Sequence, residues 1–364
     1  MCKVSDLLDF YSTNSLSWDK LEYGTTNIQN LHYGLIHVGL PTMVDIDKDN
    51  LPNIIDGNVP KNYELCKEGD VVFADASEDT NEVAKAVEYY NLNGKKVVCG
   101  LHTIHGRDNK NKTVVGYKGY AFSSMSFHHQ IRRIAQGTKI YSINSKNFSE
   151  CYVGIPSKEE QQKIADLLRL IDERIATQNK IIDKLQSLIK GIRNKLFEND
   201  KDWRKAKIRE FLCIGNGKDY KHLDIGDIPV YGTGGKMLSV NDFLYDGDSV
   251  CIGRKGTIDT PLFLTGKFWT VDTLFYTYGF KDVLPKFCYY LFKQINWQLY
   301  NEGTGVPSLS KSTIENIKVR IPSIIQQYKI CYILDCYEDK IKNEGLILDL
   351  YCSQKQYLLR KMFV

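Results

Sequence analysis

The stretch CGLHTIH (99–105) spaces Cys99, His102 and His105 as Cys-x2-His-x2-His, the residue types that hold zinc through thiolate and imidazole. No second ligand pair of comparable spacing follows, so the sequence reads as a strand running into a polar loop, without a metal. Glycine-bearing polar loops recur instead. GLHTIHGRDNKNK (100–112) carries His102, Thr103, His105, Arg107, Lys110 and Lys112. YGTGGK (231–236) carries Tyr231, Thr233 and Lys236, and GRKGT (253–257) carries Arg254 and Lys255. The turns QGTK (136–139) and EGTGVPSLS (302–310) supply Thr138, Thr304 and Ser308. Arg and Lys bond phosphates and guanine edges, hydroxyl and amide groups bond either, and glycine admits close backbone approach. These residues are the candidates for contact with double-stranded DNA; solvated loops without a ligand are the plainer reading of any one of them.

Motifs for catalysis are missing. YGTGGKM (231–237) puts Met237 where a nucleotide-binding loop needs a hydroxyl. There is no G-x-G-x-x-G between a strand and a helix, no G-x-S-x-G, no H-E-x-x-H and no Asn-Pro-Pro-aromatic run of the amino-methyltransferases. The chain is therefore expected to be no enzyme and to carry no cofactor of its own. At 364 residues it has room for two domains. The formal charge of +4 permits an anionic partner without demanding one. Ten cysteines without a C-x-x-C pair suit reduced thiols in a cytosol, and no apolar run reaches membrane-spanning length, so a cytoplasmic protein away from membranes is expected.

What must position the loops is a duplicated element. IPSKEEQQKIADLLRLIDERI and IPSIIQQYKICYILDCYEDKI start at 155 and 321, an offset of 166 that also pairs Phe197 with Phe363 and QGTKIYSI (136–143) with EGTGVPSL (302–309). Further upstream the offset becomes 178 for GDVVF (69–73) against GDSVC (247–251), and 185 for Trp18 against Trp203. Ile164, Leu168, Ile171, Ile175, Gln178, Ile182, Leu185, Ile189, Ile192 and Leu196 alternate steps of four and three, the a/d seam of a heptad repeat. Ile330, Leu334, Tyr337, Ile341, Glu344, Leu348, Tyr351, Lys355, Leu358 and Met362 stand at the matching places. Two long helices that pack on each other are predicted, with Ser157 and Ser323 as N-caps behind Pro156 and Pro322. Runs such as DIPVYGT, DSVCIGR and GKFWTVDTLFYTYGF read as strands of mixed α/β globules, each closing with a short helix at 120–136 and 286–302. The expected division is 1–154, 155–200, 201–320 and 321–364: globule, helix, globule, helix.

The duplicated helix starts, VVCGLHTIHGR (97–107), YGTGG, GRKGT and GTGVPSLSKSTIENIKVRIPS together resemble the specificity subunit of type I restriction-modification systems over nearly the whole chain. The resemblance implies an α+β fold, two mixed α/β target recognition domains separated by two long conserved helices that form an antiparallel coiled coil. It further implies a non-catalytic subunit that recruits two methyltransferase subunits and the restriction translocases, with S-adenosylmethionine and ATP bound by those partners. Arg169, Glu173 and Arg174 beside the seam are candidates for the docking face. The opening MCKVSDLLDFYSTNSLSWDK has no obvious counterpart to RKAKIREFLCIGNGK (204–218). Two readers on a helical ruler would recognise two different half-sites separated by an unread spacer. The competing readings are a restriction-modification fusion enzyme and a coiled-coil interaction protein that binds no DNA.

Overall fold

The computed structural model describes residues 1–25, 27–198 and 203–363; the expected boundary at 200/201 lies outside them. Two long helices dominate, α1 (Lys158–Phe197, 40 residues) and α2 (Ile324–Met362, 39 residues). Their starts are written into the sequence. Ser157 Oγ accepts from Glu160 N at 3.3 Å and Ser323 Oγ from Gln326 N at 3.4 Å, satisfying backbone donors that a helix N-terminus leaves orphaned. The seam residues are the covered ones. Ile164, Leu168, Ile171, Ile330 and Leu334 are buried, while Ile175, Ile182, Leu185, Ile189, Ile341, Leu348 and Leu358 are half-buried. At Ile164, Leu168, Ile330 and Leu334 a globule adds a third wall to the seam. The polar seam positions Gln178 and Glu344 are buried and half-buried.

The chain divides into two compact units, residues 1–180 with 346–364, and residues 181–345. Each unit thus contains segments of both long helices rather than a globule alone. In the first, Lys355 Nζ meets Asp172 at 2.6 Å, while Leu358, Met362 and Phe363 join the core of Ile164 and Leu168, so the two helix segments run antiparallel. In the second, Ile189, Ile192 and Leu196 join the core of Ile330 and Leu334.

The first unit holds a five-stranded sheet built on β1 (Asp9–Tyr11), β2 (Val71–Ala74), β3 (Ala86–Asn91) and β4 (Thr103–Arg107), in the order β1-β4-β2-β3 with Met43–Asp45 on the far edge. β2 is buried on both faces: Val71 and Phe73 face the helices, Val72 and Ala74 a second core. An unbroken apolar run in place of polar alternation follows from that. The second unit holds β5 (Cys213–Asn216), β6 (Ser249–Gly253), β7 (Leu262–Leu264) and β8 (Leu274–Tyr278) in the corresponding order β5-β8-β6-β7. The short closing helices are interrupted where one each was expected. Lys118–Phe122 gives way to Met125–Ile134 at Ser124, whose Oγ caps Phe127 N, and Pro285–Phe292 gives way to a single turn at Trp297–Tyr300.

The opening segment does have its counterpart. Cys2–Lys3 pairs with Tyr152–Val153 as Arg204–Lys207 pairs with Lys318–Ile321. Val4 N donates to Cys151 O as Ile208 N donates to Ile317 O, and Leu8 N to Val4 O as Leu212 N to Ile208 O. The true offset there is 204, and the shared part is a single strand and turn, too short to register without its partners. The pairing of Trp18 with Trp203 is accordingly overturned: Trp18 stacks half-exposed on His32, whereas Trp203 is buried in the second unit's core.

Candidate nucleic-acid interface

In the second unit, four loops converge. The strands Ile225–Gly232 and Gly235–Val240 form a hairpin closed at Thr233-Gly234, with Tyr231 opposite Lys236. Val271 N donates to Tyr231 O, and Arg254 N to Thr273 O, tying the turn end of the hairpin and the loop after β6 to the segment before β8. Leu309 N donates to Arg254 O at 2.9 Å and Gly256 N to Pro307 O at 2.9 Å, drawing the 303–309 loop alongside. Arg254, Lys255, Lys236 and Thr304 are exposed; Tyr231, Thr233 and Ser308 are partly covered. Lys236 and Lys255 have no ion pair among the described residues, and the Arg254 guanidinium reaches only the Asp272 carbonyl at 3.4 Å. The loops offer uncommitted positive charge beside hydroxyl groups, the chemistry that phosphates and base edges require.

The first unit repeats the turn. Gln136 and Ser142 exchange backbone hydrogen bonds, as Glu302 N donates to Ser308 O, and the offset is again 166. A Cβ on Gly137 would stand 1.9 Å from Ile140 O, and one on Gly303 2.1 Å from Val306 O, so both turns require glycine. Thr138 is exposed on this turn. Beside it, Ile143 N donates to Asp75 O where its counterpart Leu309 N donates to Arg254 O. The first unit therefore presents a carboxylate where the second presents a guanidinium. His102, held at a φ of +54°, places Nδ1 3.1 Å from that carboxylate, and Glu78, Asp79 and Glu82 line the same cleft of about 570 Å³. Sequence reasoning missed this acidic loop, ASEDTNE (76–82), although extending the GDVVF/GDSVC alignment by a few residues would have set Asp75 against the start of GRKGT.

The remaining first-unit candidates do not gather there. Thr103, His105 and Arg107 lie on central strand β4 and are buried. Thr103 Oγ1 donates to Gly100 O. Arg107 donates to Asp70 through Nε (2.9 Å) and NH2 (2.8 Å), to Glu64 through NH1 (2.6 Å) and to Leu65 O, with Tyr11 under its guanidinium at 4.4 Å. It is a core ion pair, not a free hand. His105 Nε2 meets Asp70 Oδ2 at 2.7 Å. Burial pushes the Asp70 carboxyl up, but hydrogen bonds from His105 and Arg107 outweigh it and hold it below the usual carboxylate range. Lys110 and Lys112 both donate to Asp6 O, beyond the other end of β4 from His102. Arg169 is likewise engaged, by Glu173 at 2.7 Å and Asp166 at 3.5 Å.

Two similar sheets, each carrying a glycine-closed turn beside a polar loop and joined through paired helices, define a class of protein with two recognition units. Comparison places this chain within it. The family model for the type I restriction modification DNA specificity domain matches twice, at residues 49–187 and 200–349. The chain belongs to that family. It is similar to the MjaX type I restriction enzyme specificity subunit of Methanocaldococcus jannaschii, 24% identical over 376 residues covering 89% of this chain and 82% of that protein. The MjaVIII specificity subunit of the same organism is 30% identical over 120 residues, which is 28% of each chain. Among solved structures, the S subunit from M. genitalium matches with a TM-score of 0.62 at 19% identity, covering 100% of this chain and 95% of that one. A chain from a study of complex assembly and conformational transition of the type I R-M system matches with a TM-score of 0.63 at 13% identity, covering 98% and 95%. Among the described residues no helix is long and apolar enough to cross a membrane.

Proposed function

We propose that the chain reads a bipartite duplex target, one short half-site per unit, and holds the modification and restriction subunits of its complex on the long helices without catalysing a reaction itself. The observation that carries this reading is the turn duplicated at an offset of 166, with Arg254 and Lys255 beside one copy and Asp75 beside the other. A shared frame with opposite charge reads different bases: Arg and Lys favour guanine and phosphate, whereas Asp and Glu accept from the cytosine amino group. Ile325, Tyr328 and Tyr332 are exposed on one face at the start of α2 and suit an apolar docking surface. On this reading two methyltransferase subunits bring S-adenosylmethionine and the restriction subunits bring ATP, while the chain remains in the cytoplasm.

The test is binding of the reconstituted complex to duplexes with each half-site scrambled in turn, at two salt concentrations, alongside mapping of methylated adenines in cells with and without the gene. Loss of affinity on scrambling either half-site, steepened by salt, supports the proposal. Indifference to both sequences and salt would leave a coiled-coil interaction protein instead, and methyl transfer by the isolated chain would make it an enzyme.

A further inference from the structure

Behind the first unit's recognition loop lies a cluster that the DNA-reading role does not use. Cys99 ends the strand Val97–Cys99 of the four-stranded sheet, His105 sits in the middle of β4 in the five-stranded sheet, and Cys66 lies on a segment whose backbone N donates to Val97 O at 2.8 Å. All three side chains are buried, and the two Sγ atoms and a ring nitrogen of His105 lie within 4.8 Å of one another. The thiols are 3.5 Å apart. Two thiolates on one tetrahedral zinc, each bonded at about 2.3 Å, stand roughly 3.8 Å apart, so the pair is already near that spacing.

The histidine is prepared for the same task. His105 Nε2 lies 2.7 Å from Asp70 Oδ2, and a carboxylate only accepts, so Nε2 is the donor and the neutral imidazole keeps its lone pair on Nδ1. That Nδ1 has no hydrogen-bond partner although the side chain is 0% exposed. A buried acceptor left unpaired is costly, and a metal-bound histidine backed by a carboxylate is the arrangement that uses it. Tyr89 belongs to the same core as Cys66 and Cys99, and its buried hydroxyl is without a hydrogen-bond partner as well. We propose that Cys66, Cys99 and His105 bind a structural zinc ion, with the phenol oxygen of Tyr89 as the fourth donor.

The charges balance. Zn²⁺ displaces the two thiol protons to solvent, and a dication with two thiolates, a neutral imidazole and a neutral phenol is uncharged, as its surroundings of Leu31, Val72, Val87 and Val97 demand. Sulfur and nitrogen donors exclude calcium and magnesium, and full burial fits a closed structural site rather than one that activates water. Such an ion would clamp the two sheets together at the turn between Cys99 and Thr103, the turn that presents His102.

The experiment uses the full chain, unfolded under reductant and refolded with zinc, followed by gel filtration and elemental analysis, and in parallel with cobalt(II) to read thiolate-to-cobalt absorption. One tightly held zinc per chain and a tetrahedral thiolate–cobalt spectrum are expected, with loss of both in Cys66→Ser and Cys99→Ser. Cys213→Ser, an exposed thiol in the other unit, should retain them. The wild-type spectrum decides the matter even where a variant folds poorly. Wild-type chain that refolds without metal, metal content unchanged in Cys66→Ser, or a Cys66–Cys99 disulfide in chain kept under reductant would each overturn the proposal.

Discussion

Arg107 and Lys255 show how basic residues in similar-looking stretches of sequence take opposite parts, one on a buried strand and the other in an exposed loop. Arg107→Ala leaves Asp70 buried with half of its donors removed, and breaking a buried pair of this kind costs about 3 to 5 kcal/mol, so the first unit should melt well below the wild type. Lys255→Ala should leave the melting temperature in place, weaken DNA binding, and lower the slope of log affinity against log salt by about 0.9 if the lysine contacts one phosphate. A melting curve and a salt titration on both variants check the pair. Asp70 also sets an acid limit. Because its folded pKa is depressed, its stabilisation is complete above the unfolded carboxylate pKa of about 4 and disappears as pH falls through the lower folded value. The gap in melting temperature between wild type and Asp70→Asn should therefore be wide at neutral pH and narrow in acid. Nothing in HTIHGR distinguishes a strand buried on both faces from a solvated basic loop, since the partners of Arg107 are Glu64 and Asp70, some forty residues upstream. The exposure of Lys236, Arg254 and Lys255 was legible because glycines beside them mark turns that tertiary pairing leaves on the surface.

At the scale of elements, each long helix is anchored by one buried glutamine. Gln161 Oε1 accepts from Val114 N at 2.9 Å while Nε2 donates to Lys112 O and Pro156 O. Gln327 does the same with Leu284 N, Asp282 O and Pro322 O. Gln161→Leu and Gln327→Leu should each cost about 1 to 3 kcal/mol by stranding a backbone N–H, and the double variant should lose the sum, read by chemical denaturation. The glutamines stand in the repeated QQ of both helix starts, but a sequence shows only that they recur, not that they reach a loop about 45 residues earlier. The seams, by contrast, were legible throughout, because heptad spacing is a property of one helix taken alone. The opening strand was not, because two residues of pairing carry no periodicity of their own.

For the molecule as a whole, the proposed function makes the long helices the ruler between the two half-sites. One added heptad between Ile182 and Leu185, and one between Leu348 and Tyr351, preserves both seams and lengthens each helix by about 10 Å, near three base pairs of duplex. Binding at the original spacer should be lost in a titration over duplexes of varied separation; full retention would place the ruler elsewhere. The division of the helices between units has another consequence, in the order of synthesis. Residues 181–345 form one unbroken stretch, so the second unit has all of its core as soon as Gly345 leaves the ribosome. The first unit, though begun earlier, still lacks Leu358, Met362 and Phe363 at that point, and Phe363 closes against Tyr117 while its carbonyl accepts from Ser126 Oγ at 2.6 Å. The half that is translated first is thus completed last, against the usual N-to-C order of domain folding. A chain stopped after Gly345 should keep a protease-resistant second unit and lose the first, and on a stalled ribosome the same reversal should be visible.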